Sequence, residues 1–329
     1  MVQQNSLLVM LVQLVERIPT PKPPSPTKRG KGRPSFYPDT LFLKALVIMI
    51  IKHLHSPYEL LCVLEQPTPE ITALRSMLTQ DGRYPTRRTW ERRLASLPNK
   101  LPAQIGALGR HLVELIQPWS TCGRAVAADS TVLRARGGVW HKKHRLRGEV
   151  PHTLIDTQAH WTKSGYHGWV YGWKLHLITV VSSVWIPLSA QLTPANHDDS
   201  AEAEKLLEQL PPDVRYMLGD QHYNTPSLRA LCVLRGWWLV ATHRGKPAKS
   251  DTGKEVRRIF HKLRSVAMEN FNQHFKGIFG GNGQVPTKGL VATRRFALGA
   301  IFVYQLALLY RFEHNLDLNI GLKAFLKAA

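Results

Sequence analysis

The chain has 329 residues, enough for one large domain or two ordinary ones with their own hydrophobic cores. Its 43% hydrophobic and 20% charged content excludes a disordered polymer. Lys and Arg total 44 against 23 Asp and Glu, and a polyanionic partner is the simplest reason for this net charge of +21, because every neutralised phosphate releases bound counterions; a merely basic enzyme or a ribosome-associated protein is the alternative. Cys62, Cys122 and Cys232 are scattered, odd in number and without CxxC spacing. They imply neither a zinc site nor a disulfide framework and fit a reducing cytoplasm. The opening MVQQNSLLVMLVQLVERIP has no basic start and no small-residue cleavage site, so it does not read as a signal peptide.

In chain order, residues 6–18 read as a short apolar helix. PTPKPPSPTKRGKGRP (19–34) then mixes six prolines with five Lys or Arg and no acid. Residues 1–35 are therefore expected as a flexible, basic, Pro-rich tail, either a solvated tether or a segment laid along a phosphate backbone. Residues 36–118 read as all-helical. Pro38-Asp39 opens a helix through LFLKALVIMIIKHL (41–54), Ser56-Pro57 opens a second, and TPEITALRSMLTQ (68–80) gives a third. In DGRYPTRRTWERRLASLP (81–98), Thr86 is placed to cap a helix whose outer face carries Arg87, Arg88, Arg92 and Arg93, with Trp90 and Leu94 inward. A short helix with arginines crowded at its start suits a helix-turn-helix that enters the major groove. The alternative is a basic surface helix without groove contact.

After Trp119 the texture becomes strand-like. RAVAADSTVLRA (124–135), WKLHLITVVSS (173–183) and VWIPLSAQLTPA (184–195) read as three successive strands. DDSAEAEKLLEQL (198–210) is a helix, VRYMLGD (214–220) a short buried strand, TPSLRALCVLRG (225–236) a helix and WWLVATHR (237–244) another strand. VRRIFHKLRSVAMENFNQHFKGIF (256–279) is a long helix ended by Gly280 and Gly281. Three antiparallel strands followed by parallel β-α-β units give an α/β fold with a ribonuclease H-like mixed sheet over residues 119–315. Residues 316–329 are expected as a C-terminal tail. FALGAIFVYQLALLY (296–310) is shorter than the ~20 residues that cross a bilayer and reads as a buried helix.

Three acids stand out by position. Asp129 interrupts the apolar run AVAAD, Asp220 ends a strand after Gly219, and Glu269 sits mid-helix among apolar residues. A carboxylate in a strand centre is costly unless neutralised. A salt bridge to a nearby arginine explains each acid singly. Together the three make a cage of hard oxygen donors suited to two Mg²⁺ or Mn²⁺ ions, which activate a nucleophile and stabilise a leaving oxygen at phosphorus.

With AADSTVLRA (127–135), MLGDQHYNTP (217–226) and MENFNQHFK (268–276) in this order, the sequence resembles the DDE transposases of bacterial insertion sequences, over about residues 119–312. Their acids fall in a DST strand, an LGD-x-x-Y turn and an E-x6-K helix. The resemblance implies that Asp129 bridges two metals, that Asp220 and Glu269 each hold one side, and that Lys276 contacts DNA. Glu269 and Lys276 are two turns apart, with ~20° of drift, and so share a helix face. The Tyr and Arg that relatives carry seven and four residues before the Glu are Lys262 and Ser265 here, with Arg264 one residue off.

Further DNA candidates are Arg264, Tyr223 (alternatively part of an Asn224-capped turn), and Lys142, Lys143 and Arg145 in RARGGVWHKKHRLRG (134–148) with Trp140 for stacking. HWTKSGYHGWVYGW (160–173) adds further aromatics. Asp199 falls at a family position beside the site, with helix capping as the alternative. The implied partners are double-stranded DNA, as terminal inverted repeats and target, and a second copy of the chain on that DNA. No membrane is implied, and the expected place is the nucleoid in a prokaryotic cytoplasm. The alternatives to a transposase are a metal-dependent nuclease of the same fold and a non-catalytic DNA-binding descendant.

Overall fold

The computed structural model describes residues 6–21, 35–120, 124–149, 151, 153–165, 168–241, 250–280, 283–318 and 320–329. Most of the basic Pro-rich stretch, Cys122, Tyr166, His167, Gly281 and the end of the 237–244 strand lie outside these residues.

The N-terminal region is helical: α1 (Leu7–Leu14), α2 (Asp39–Ile51), α3 (Pro57–Leu64), α4 (Pro69–Met77), α5 (Arg87–Ser96) and α6 (Leu101–Ile116). Ser56, Thr68 and Thr86 stand at the N-caps of α3, α4 and α5, each accepting from the backbone N–H three residues on. This satisfies one of the orphan donors of each first turn. The expected tail is corrected at its start. Leu8, Val9, Leu11, Val12 and Leu14 of α1 are buried, and α1 packs on α2, α4 and the long helix α11 (Leu290–Glu313). An apolar stretch this dense contributes more by burial than it costs to order.

The second region carries β1 (Ala125–Arg134), α7 (Lys142–Leu146), β2 (His160–Ser164), β3 (Gly168–Val180), β4 (Pro187–Pro194), α8 (Asp199–Leu206), β5 (Tyr216–Gly219), α9 (Pro226–Leu234), β6 (Trp238–Ala241) and α10 (Asp251–Phe279). One mixed sheet runs β2-β3-β1-β5-β6, with β4 also on β3. β1, β3 and β4 are antiparallel neighbours, whereas β5 joins β1 in parallel and β6 joins β5 in parallel. This is the ribonuclease H-like order. β2 is an addition to the expected set: it pairs with Gly168–Gly172, the start of β3. The 160–173 aromatics are largely consumed by this hairpin, since Trp161 donates to the Trp140 carbonyl at 3.0 Å and packs on Tyr171.

The two regions share a core. α11 packs on α1, α2, α5, α6 and β4. Gln305 donates to the carbonyls of Ile105 (2.9 Å) and Pro187 (2.8 Å), and buried Arg295 donates to the His55 carbonyl at 3.0 Å. At 24 residues α11 is longer than its apolar run and long enough to cross a membrane, yet 89% of its apolar window is buried inside the protein. The C-terminal stretch is likewise no bare tail. α12 (Leu322–Ala328) buries Leu322 and Leu326 and packs on α10.

Candidate active site and nucleic-acid interface

Residue by residue, β1 and β5 run in parallel from Ala125↔Tyr216 to Ala127↔Leu218, and β5 ends at Gly219. Asp220 therefore leaves the sheet where Asp129, two residues past the last pair on β1, is still held by Leu177 of β3. Asp220 caps a short 3₁₀ turn, its Oδ1 accepting from the His222 N–H at 2.7 Å. Asp129 Oδ1 accepts from the Ser130 N–H at 2.9 Å, and Arg264 Nη1 of α10 stands 3.8 Å from Asp129 Oδ2. Burial pushes the Asp129 carboxyl up to about 6; Arg264 and the Ser130 N–H pull it back, and the charges of Asp220 and Asp199 push it further up.

Tyr223, expected as a DNA contact or as part of a turn, is 2% exposed. Its ring lies on Gly219, where an added Cβ would come within 2.6 Å of the Tyr223 Cβ. Burial, then the charges of Asp129, Asp199 and Asp220, hold its phenol well above the usual range. The phenol is thus a neutral floor beneath the acids.

Asp199 is not the helix cap either. Asp198 takes that role, its Oδ1 accepting from the N–H groups of Ser200 and Ala201 at 3.0 Å each. Asp199 instead pairs with Lys174 at 3.1 Å and lies 3.4 Å from His176 Nδ1. His176 Nε2 meets Thr193 Oγ1 at 2.8 Å, and burial pushes the imidazole down to about 4, against the charges of Asp199 and Glu202. Sequence reasoning missed this trio. The signal was the alternation of WKLHLITV, which puts Lys174 and His176 on one face of β3.

The helix α10 lies against β1, β3 and β5, burying Ala267, Met268, Phe271 and Phe275. Lys276 is half-buried; burial lowers its ammonium and the charge of Asp129 opposes that. Glu269 is exposed. Among the described residues, no three Asp, Glu, His or Cys side chains are gathered closely enough to hold a metal ion. The site brings together Asp129 and Asp220 with Asp199, Tyr223 and Arg264, and Glu269 and Lys276 stand on the same helix as Arg264.

On α5, Arg87, Arg88 and Arg92 are exposed, and Trp90 and Leu94 are buried. Arg87 pairs with Glu91 at 2.9 Å. Arg93 departs from the expected set: 16% exposed, it pairs with Asp39 at 2.6 Å, donates to Ser35 and the Tyr37 carbonyl, and covers the Phe42 ring. It ties α5 to the start of α2. On α7, Lys142 and Lys143 are exposed, while Arg145 lies over Trp140, which is half-buried.

Residues 120–306 match the family described as "Transposase DDE domain", more than half of the chain. The chain belongs to the DDE transposase family. Members are generally phosphoryl-transfer enzymes that use divalent metals, and the DDE domain here implies DNA transposition. No curated protein sequence matches the chain. Among solved structures, the piggyBac transposase synaptic complex with hairpin DNA is 10% identical, at a TM-score of 0.43 over 99% of this chain and 79% of that one. The Mos1 mariner paired-end complex with Mn is 14% identical at 0.24, over 87% and 80%, and a pre-cleavage Mos1 transpososome is 13% identical at 0.24, over 85% and 80%. Membership of the DDE family rests on the 120–306 match alone.

Proposed function

We propose that the chain is the transposase of a bacterial insertion sequence, cutting phosphodiesters at the element's ends and joining them to target DNA. The observation that carries this reading is the placing of the half-buried Asp129 and of Asp220 where β1 and β5 part, with the Asp129 carboxyl raised to about 6 by burial and by the charge of Asp220. The donor set is hard oxygen, which suits Mg²⁺ or Mn²⁺. Asp129 and Asp220 would hold the metals, with Glu269 of α10 as the third acid. Bound there, two ions supply an activated water or 3′-hydroxyl and stabilise the leaving oxygen. Tyr223 floors the acids and excludes water, Lys276 positions a phosphate, and Arg264, once released from Asp129, is free to do the same.

Terminal repeats and target DNA would be held by Arg87, Arg88 and Arg92 of α5 and by Lys142, Lys143 and Arg145. Two ends in one synapse imply two copies of the chain on DNA, in the nucleoid of a prokaryote. Asp129→Asn, Asp220→Asn and Glu269→Gln should each abolish metal-dependent cleavage and leave DNA binding intact. A variant cutting at the wild-type rate removes its acid from the site. Joining of the cut ends to a target plasmid separates a transposase from a nuclease.

A further inference from the structure

The N-terminal half of α10 carries a polar face that the chemistry above leaves largely unused. At about 100° per residue, Arg257, Phe260, His261 and Arg264 fall within a ~100° arc of the helix. Arg258 points elsewhere and pairs with Glu255 at 2.6 Å. The arc walls a cleft of about 220 Å³, closed on the other side by Leu218, Gly219 and Asp220 at the end of β5, Gln221, and Val240 and Ala241 at the end of β6. The cleft thus lies beyond the carboxyl ends of two parallel strands, where open α/β sheets hold ligands.

We propose that this cleft is a phosphate subsite: it takes the backbone of the DNA strand that runs from the scissile phosphate past Asp220, with Arg257 and His261 as donors. The inference rests on the DNA-cleavage reading and adds where the substrate strand lies. Arg257, His261 and Arg264 line the cleft with one acid, Asp220, and Arg264 also stands 3.8 Å from Asp129. Leu218, Val240 and Phe260, the last packed 5.8 Å from the Tyr216 ring, give it an apolar backing. Charge-assisted hydrogen bonds to an anion are strengthened against such a low-dielectric wall. Arg257 and Arg264 are separated by roughly 10 Å along the helix, farther than neighbouring phosphates of one strand lie from each other. The two guanidiniums therefore meet different phosphates of one strand.

The test uses the full chain without metal and a fluorescein-labelled oligo-dT of about 20 nucleotides, followed by anisotropy as salt is raised. Arg257→Ala/His261→Ala should weaken binding about tenfold and flatten the plot of log affinity against log salt by about 0.7 for each phosphate no longer neutralised. Arg257→Gln/His261→Gln, which keeps more of the packing, should do the same. Arg258→Ala removes as much charge from the outer face and should leave the slope unchanged. An unaltered slope in both double variants, or an equal fall in Arg258→Ala, overturns the subsite. Nicking of a supercoiled plasmid with Mn²⁺ is measured in parallel. A wild-type chain that binds with full slope yet never nicks overturns the cleavage reading and leaves the subsite standing. A chain that nicks while its double variants bind and nick unchanged overturns the subsite alone.

Discussion

Asp129 sits where its charge costs the metal-free protein stability. Its carboxyl is raised from 3.8 to about 6 by burial. A group whose folded value lies above its unfolded one adds stability that is complete below about pH 4 and is lost as pH rises through about 6. Asp129→Asn should therefore stabilise the metal-free chain by about 1–3 kcal/mol at pH 8 and leave it unchanged near pH 4. Thermal melts at the two pH values check this, and a lowered melting temperature at pH 8 would mean that the Arg264 pairing outweighs the burial. Gly219 is the neighbouring test of packing. A methyl there would meet Tyr223 at 2.6 Å, so Gly219→Ala should cost about 1–3 kcal/mol and displace the phenol from beneath the acids. Tyr223→Phe keeps the ring and should fold as well as the wild type. Slow cleavage by that variant, with its melting unchanged, would mark the hydroxyl as a positioning group.

Among the elements, α5 and α10 divide the work differently from what their sequences suggest. The arginines of α5 look equivalent on a helical wheel, but Arg93 is held by Asp39 and Phe42 while Arg88 and Arg92 are exposed. Arg88→Ala/Arg92→Ala should lower the salt slope of duplex binding by about 0.9 for each phosphate left without its arginine, with little change in melting. Arg93→Ala should instead lower the melting temperature and leave the slope nearly intact. Reversal of that pattern would show that α5 meets DNA through its other face. In α10, Lys276 is a half-buried point charge that feels the charge of Asp129. Lys276→Ala should slow cleavage without abolishing it, Lys276→Arg should retain most of the rate, and equal rates for wild type and Lys276→Ala would make it a bystander. Gly280 ends α10 at φ +76, a left-handed cap that glycine adopts without strain, so Gly280→Ala should cost about 1 kcal/mol.

At the scale of the whole molecule, α11 makes one cooperative unit of what reads along the chain as two domains. Its Gln305 ties α6 to β4, and its Arg295 reaches the connection between α2 and α3 at His55. A fragment spanning 119–329 exposes the face of α11 that α1, α2 and α6 cover. It should therefore bind hydrophobic dyes and melt without a sharp transition, whereas the full chain should unfold in a single step. A fragment with a sharp transition of its own would restore the boundary at residue 119.

Local pattern alone determined much of this protein. The caps at Ser56, Thr68 and Thr86, the alternation of the strands and the helical spacing of 256–279 each follow from chemistry a few residues wide. So does the unusual position of Asp129, since an acid inside an apolar strand is conspicuous in one dimension, and that of Asp220 directly after a buried strand. What only the tertiary structure decided is whatever depends on partners distant in sequence. Arg93 is structural because Asp39 lies 54 residues away, and Tyr223 is buried because Gly219 lets its ring fold back beneath the acids. Asp199 belongs to Lys174 and His176 because β3 passes the start of α8. Residues 7–14 join the core because α11, nearly three hundred residues later, leaves an apolar face for them. The placing of Glu269 is of the same kind: spacing fixes which face of α10 it occupies, while the distance between that helix and β1 is set by side-chain packing that no local pattern encodes.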